Sequence, residues 1–179
     1  IVLGGYLPDF ISILREARQA GSTAKFYVPA WAVNQKLIDA VGPATAEGIL
    51  THDYIAALDG KAFAAFAPRF KQATGSDPHD NYYACCAYDM MIVTALAAEA
   101  AGGKGRLQDF MRVVANPPGT AVFDFASGQK LLREGKKINY QGASGPIDFD
   151  AQGNVKPLFK LSEVRAGKVE LIGPVFEDY

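Results

Sequence analysis

Cysteine and histidine are scarce here: the 179-residue sequence holds two of each. Cys85 and Cys86 are adjacent, and a bridge between neighbours demands unusual geometry. They read as small core thiols and say nothing of redox compartment. Two histidines and two adjacent cysteines do not make a standard zinc site, so no metal ligand set is expected. An excess of either charge is also missing, with 18 Lys and Arg against 19 Asp and Glu. No basic stripe stands out, which argues against a nucleic-acid surface. No apolar run approaches the roughly 18 residues that a membrane helix needs. The best candidate is interrupted by Asp89 and Glu99, so no membrane-spanning segment is expected.

Catalytic signatures are equally thin. Gly142-Ala143-Ser144-Gly145-Pro146 is no nucleophile elbow, because proline stands where the last glycine should be and no helix pattern follows. Asp148 to Gly153 starts like a calcium loop with Gln152 at its fifth position, but Phe159 stands at the twelfth, where a bidentate glutamate is required, so it reads as a turn. No glycine loop that cradles phosphate appears. Nothing argues for an enzyme or for a cofactor.

What is present is an ordinary globular composition, 49% hydrophobic, with a clear alternation of periods. Ile1 to Gly5 reads as a buried strand ending in a glycine pair. Phe10, Ile13, Leu14 and Ala17 then fall on one helical face, with Pro8 suited to the first turn and Gly21 to the stop. Lys25 to Val28 is a second strand closed by Pro29. Leu37, Ile38 and Val41 mark a short helix ending at Gly42-Pro43, and Gly48 to Thr51 a third strand. Strand, helix, strand, helix, strand with tight connections predicts a parallel sheet flanked by helices.

Phe63, Phe66 and Phe70 form an amphipathic stripe stopped by Gly75-Ser76-Asp77-Pro78. Asn81 is placed to cap a long helix reaching Ala101 before Gly102-Gly103. That helix is apolar nearly all round, which predicts burial on more than one side, and Asp89 within it is expected to bond to nearby backbone. His79, after Pro78, reads as a turn residue. Leu107, Phe110, Met111 and Val114 mark a further helix stopped by Asn116-Pro117-Pro118-Gly119, and Phe123 to Glu134 reads as a loop with a short helix. Ile147 and Phe149 alternate with Asp148 and Asp150 as in a half-buried strand, and Gln152-Gly153-Asn154 supplies a turn. Leu158 to Val164 and Lys168 to Ile172 read as two closing strands.

The stretch Ile138-Asn139-Tyr140-Gln141-Gly142-Ala143-Ser144-Gly145-Pro146-Ile147-Asp148-Phe149-Asp150, continued to Asn154, resembles the C-terminal signature of the type I periplasmic solute-binding proteins of ABC transporters. These include the leucine/isoleucine/valine-binding proteins. Ala166-Gly167-Lys168, Gly4-Gly5-Tyr6, Ala46-Glu47-Gly48 and Ala87-Tyr88-Asp89 resemble further motifs of that family, in its order. The resemblance implies parts of two Rossmann-like α/β lobes. Residues 1–53 would be the C-terminal part of lobe 2, residues 54–156 the returning part of lobe 1, and residues 157–179 the final segment of lobe 2. The chain would be the C-terminal part of a longer, periplasmic protein with a signal peptide upstream.

The implied function is capture of a small molecule between the lobes by hinge closure around Asp53 and Pro157, then delivery to a membrane ABC permease. Two alternatives carry other expectations: a sensor subunit of the same fold regulating a cytoplasmic partner, and an α/β enzyme. Ligands of open sheets lie beyond the carboxyl ends of strands, which here are Gly5-Tyr6, Pro29-Ala30-Trp31 and Thr51-His52-Asp53. In the family a tyrosine after the glycine pair touches ligand, a role that Tyr6 would inherit; the other reading is a half-buried tyrosine at a helix entrance. Amino-acid-binding members carry a glutamate at the position of Ala30, where it pairs with the ligand's ammonium. Alanine cannot do this, so either Asp53 substitutes or the ligand lacks an ammonium. Trp31 reads as an aromatic wall or as a core or surface anchor, and His52 as a carboxylate donor or a solvated hinge residue. The ligand class expected is a branched-chain amino acid or a related carboxylate, aromatic ones included.

Overall fold

The structure, a computed structural model, describes residues 1–173. It divides into two compact units, Ile1–Tyr54 with the chain from Phe159 onward, and Ile55–Leu158. Residues 174–179, the end of the expected final segment, lie outside the described residues.

In the first unit, helix α1 spans Leu7–Gln19. Pro8 fixes φ in the first turn, Asp9 there accepts the Tyr6 N–H at 3.0 Å, and Arg18 sits in the last turn, each suited to its end of the helix dipole. Phe10 and Leu14 are fully buried, each contributing roughly 1.5–3 kcal/mol of apolar burial. Ile13 departs from the expected face and is exposed; Ile11 packs on the core instead. Helix α2 (Gln35–Val41) is capped by Asn34, whose side chain accepts from the Leu37 N–H at 3.2 Å, and α3 (Pro43–Ala46) follows directly.

These helices cover a sheet whose parallel part is made of single bridges, Val2 to Tyr27 and Tyr27 to Leu50. Leu3 donates to the Tyr27 carbonyl at 2.9 Å and Val28 to the Leu50 carbonyl at 2.9 Å. The sheet continues through β1 (Leu50–Ile55), β4 (Leu158–Arg165) and β5 (Lys168–Leu171), in the order β1-β4-β5. β4 and β5 are antiparallel, joined at Ala166-Gly167, both with positive φ (48° and 75°), as primed hairpin turns require. Phe26, Val28, Ile49 and Val164 turn inward onto Phe10, Leu14 and Leu37. The expected buried strand at Ile1 to Gly5 is corrected: Ile1 and Val2 are exposed and only Leu3 reaches the core, the segment contributing a single bridge at Val2 rather than a strand.

In the second unit, α4 (Lys61–Thr74) buries Phe63 and Phe66 and ends at left-handed Gly75. α5 (Tyr82–Ala101) starts at Asn81, whose side chain accepts from the Ala84 N–H at 3.1 Å, and stops at left-handed Gly102. α6 (Leu107–Ala115) packs on α5. β2 (Thr120–Val122) and β3 (Ile138–Tyr140) pair in parallel, Thr120 against Ile138 and Val122 against Tyr140. Between them runs α7 (Phe125–Arg133), capped by Asp124, whose carboxylate accepts from the Ser127 N–H at 2.9 Å.

Three expectations for this unit are corrected. α5 is long and apolar enough to cross a membrane by length and composition alone, Asp89 and Glu99 notwithstanding. Its inner face (Cys85, Asp89, Val93, Leu96, Ala97) is nevertheless core of this unit. It is not buried on several sides either, since Met90 and Met91 are 61% and 69% exposed. Finally, residues 147–150 keep the burial alternation of a strand but form only an isolated bridge, Phe149 to Val155. Side-chain and turn bonds replace a ladder here: the Asn116 amide accepts from the Phe149 N–H at 3.0 Å and donates to the Phe149 carbonyl at 2.7 Å, Asp150 donates to the Asn154 carbonyl at 2.8 Å, and the Asp150 carboxylate accepts from the Gln152 and Asn154 N–H groups.

Candidate ligand-binding face

The parallel bridges orient the first unit's strand ends alike, so Tyr6, the Ala30 turn and the end of β1 follow the carboxyl ends of neighbouring strands. Tyr6 is the N-cap of α1 and 76% exposed, its ring free of the core. Pro29 ends the second extended segment and starts a single 3-10 turn, Ala30–Ala32. Trp31 in that turn is 53% exposed, with its ring centroid 5.8 Å from that of Phe10. Phe10 lies one turn beyond Tyr6 on α1, so the helix that Tyr6 caps and the turn that holds Trp31 meet at one aromatic contact.

His52 and Asp53 go elsewhere. They are successive strand residues and therefore face opposite sides of the sheet. The His52 ring stacks on Tyr27 at 5.4 Å and lies 5.8 Å from Phe159, and its Nδ1 is hydrogen-bonded to the Tyr27 hydroxyl. Tyr54 joins the same cluster, 4.8 Å from Phe159. Asp53 turns one carboxylate oxygen to the Tyr54 N–H at 2.8 Å. Among the residues expected at a ligand, Tyr6, Ala30 and Trp31 are associated through α1, whereas His52 belongs to an aromatic cluster and Asp53 to its own backbone.

The second unit has a strand-end crevice of its own that sequence reasoning missed. A cavity of about 540 Å³ is lined by Lys61, Phe123, Asn139, Gln141, Gly142 and Asp148, among others, where β2 and β3 end and α4 begins. The Lys61 ammonium stands 5.2 Å over the Phe123 ring, and Gln141 donates to Asn139 at 2.8 Å. The only signal for it lay in two three-residue strands, too short for any periodicity to register.

Beneath this crevice Asp89, 2% exposed, ties α5 to the loop after β3. One oxygen accepts from the Tyr140 hydroxyl at 2.7 Å and the Ala143 N–H at 2.8 Å; the other accepts from the Ser144 N–H at 2.7 Å and the Ser144 hydroxyl at 2.5 Å. Asp89 does bond to backbone as expected, but to the N–H groups of Ala143 and Ser144 in the loop after β3, together with two side-chain hydroxyls, so its oxygens are satisfied across the core. Two separate sequence motifs, Ala87-Tyr88-Asp89 and Ile138 to Pro146, form one hydrogen-bonded knot. Gly142 is obligatory in it, since a β-carbon there would fall 2.4 Å from the Asp89 carboxylate. Burial and the Asp89 charge push the Tyr140 hydroxyl well above the usual phenol range and the Cys85 thiol up to about 12. Among the described residues no group of three or more His, Cys, Asp or Glu could hold a metal.

The comparisons with known proteins identify the fold. Residues 1–166 match the model of the family described as receptor family ligand binding region. A leucine-binding protein, LivK, from Thermotoga maritima is 24% identical with a TM-score of 0.65, over 99% of this chain and 44% of that one. A putative branched-chain amino acid ABC transporter from Rhodospirillum rubrum is 20% identical with a TM-score of 0.57, over 96% of this chain and 44% of its own. The substrate-binding protein LivJ from Streptococcus pneumoniae, solved with isoleucine, is 19% identical with a TM-score of 0.54, over 97% and 44%. The chain therefore spans less than half the length of these structures, and at such identity they show the fold alone. No curated protein matches. By its family match and fold the chain belongs to the receptor-family ligand-binding regions, with the α/β fold of the type I periplasmic binding proteins.

Proposed function

We propose that this chain is part of an extracytoplasmic solute receptor that captures a small carboxylate between two lobes and delivers it to an ABC permease. The first unit is read as part of lobe 2 and the second as the returning part of lobe 1. The chain passes from one to the other inside β1, at Tyr54 and Ile55, and back inside β4, at Leu158 and Phe159; these strands are the hinges of closure. The observation that carries the reading is the pair of exposed large aromatics, Tyr6 and Trp31, at neighbouring strand ends. Strand ends of parallel sheets are where open α/β folds take ligands, and two large aromatic side chains there keep more than half of their surface open to one. The solute-binding function of the structural relatives points the same way and away from catalysis.

Ala30 defines the ligand class. It offers no carboxylate to an ammonium, and Asp53 has one oxygen committed to backbone. A carboxylate on an apolar, branched or aromatic body fits this face better than a zwitterion. Calorimetric titration with L-leucine and, separately, with benzoate tests both the reading and the class. Heat from benzoate that is lost in Tyr6→Ala, with no heat from leucine, supports it. Tight leucine binding shows that the ammonium partner has been replaced and keeps the amino-acid class. Binding that Tyr6→Ala leaves unchanged removes Tyr6 from the site.

A further inference from the structure

A second cavity, of about 330 Å³, lies wholly within the second unit, between α5, α6 and the loop after β3. Its volume falls at the lower end of small-molecule pockets, roughly 300–1,000 Å³. Its walls are mainly apolar. Met90 and Met111 line it together with the half-buried rings of Tyr82 and Phe149, and its polar lining includes Asp89 and Ser144. None of its lining residues is basic. The nearest arginine in sequence, Arg112 of α6, donates instead to the carbonyls of Asp150 at 2.6 Å and Ala151 at 2.9 Å.

Asp89 gives this groove its sign. Among the described residues, every hydrogen bond that Asp89 accepts comes from a neutral group: a phenol, two backbone amides and a serine hydroxyl. These satisfy its lone pairs but leave its negative charge uncompensated, in surroundings where screening by water is weak. An apolar groove beside an uncompensated anion repels carboxylates and attracts cations, and aromatic faces add to that attraction.

We propose that this groove is a binding site for a small organic cation with an apolar body, such as an arylalkyl quaternary ammonium. It is separate from the strand-end face and independent of the function proposed for it. Met90 and Met111 supply adaptable, polarisable walls, Tyr82 and Phe149 offer aromatic surface to the cationic head, and Asp89 sets the charge preference.

The three methionines of the chain make a direct test. Met90 and Met111 line the groove, whereas Met91 is exposed outside it. With ¹³C-methyl methionine labelling, benzyltrimethylammonium is titrated beside its neutral carbon isostere, neopentylbenzene, and the anion phenylacetate. The expected result is saturable shifts of the Met90 and Met111 methyls at about millimolar Kd, with Met91 still. The neutral isostere should bind more weakly and phenylacetate should not bind. Met90→Lys places a cation on the exposed rim without touching the Asp89 knot, and should weaken benzyltrimethylammonium at the Met111 methyl by about tenfold. Equal binding of the cation and the neutral compound would overturn the charge argument. Absence of any saturable Met90 or Met111 shift, or shifts shared equally by Met91, would overturn the site.

Discussion

Replacing Asp89 with asparagine keeps the shape of the knot and removes its logic. The carboxylate accepts one backbone N–H on each oxygen, Ala143 at 2.8 Å and Ser144 at 2.7 Å. An asparagine has one acceptor oxygen, so either orientation of its amide sets an NH₂ group against one of those N–H donors. One charge-assisted bond is lost, about 1.5–3 kcal/mol, and one buried donor is orphaned, about 1–3 kcal/mol. Relief of burying a charge offsets part of this. A net cost of about 3 kcal/mol follows, expressed in the second unit, where every partner of Asp89 lies. Urea unfolding followed by circular dichroism reads the stability, and amide exchange reads the site. The Ala143 or the Ser144 amide should exchange about 100-fold faster, the same free energy expressed as a rate. Ser144→Ala removes only the hydroxyl donor and should cost about 1–2 kcal/mol. An Asp89→Asn variant within about 0.5 kcal/mol of the parent, with unchanged exchange at both amides, would refute the argument.

Three further outcomes follow from the same packing. A β-carbon at Gly119 would lie 2.3 Å from the Ile138 carbonyl oxygen, which belongs to backbone, whereas at Gly128 it would meet the Leu96 Cδ2 end at 2.6 Å. Gly119→Ala should therefore lower the urea midpoint more than Gly128→Ala, costing about 3 kcal/mol or more; the reverse order would contradict this. The Asp124 and Asp150 carboxyls are held below the usual range, foremost by backbone N–H donors at Ser127 and Asn154. Depressed folded values mean that the native state binds fewer protons than the unfolded chain, so their stabilisation is present above about pH 4 and lost as pH falls through the folded values. Tm should drop on acidification in that range, and less steeply in Asp124→Asn, which still caps α7. Lastly, Cys85 is buried with its thiol raised to about 12, while Cys86 is half-buried. Iodoacetamide at about pH 8 should modify Cys86 and spare Cys85 until the chain is unfolded; equal labelling of the native chain, read by peptide mass mapping, would contradict the packing.

Local punctuation made much of this fold readable. Pro8, Asn81, Gly75 and Gly102 act within a turn of their own position, and each ends or begins the helix that its chemistry predicts. The two closing strands were readable from their apolar residues, and the turn at Ala166-Gly167 between them from the family resemblance. β2 and β3 were not, because three residues carry no period and Thr120 and Ala121 are exposed. The outer face of α5 misled for a related reason: composition registers apolarity but not which neighbour is there to cover it. Asp89 was the least readable residue, as its partners stand 51 to 55 positions away and no local rule joins them. At the candidate site, Tyr6, Ala30 and Trp31 were proposed from strand ends together with the family resemblance, and the structure places them at those ends. The diversion of His52 to Tyr27 and Phe159 depended on side-chain stacking across three strands, which no spacing encodes.

Trp31 is the single tryptophan of the chain and stands at the proposed ligand face, so its emission tests the central claim directly. Titrating the chain with benzoate and with L-leucine while following Trp31 fluorescence should give a saturable change with at least one of them, and Tyr6→Ala should weaken it. An emission spectrum that neither ligand moves, up to about 10 mM, would show that no such solute seats at these strand ends and would contradict the account.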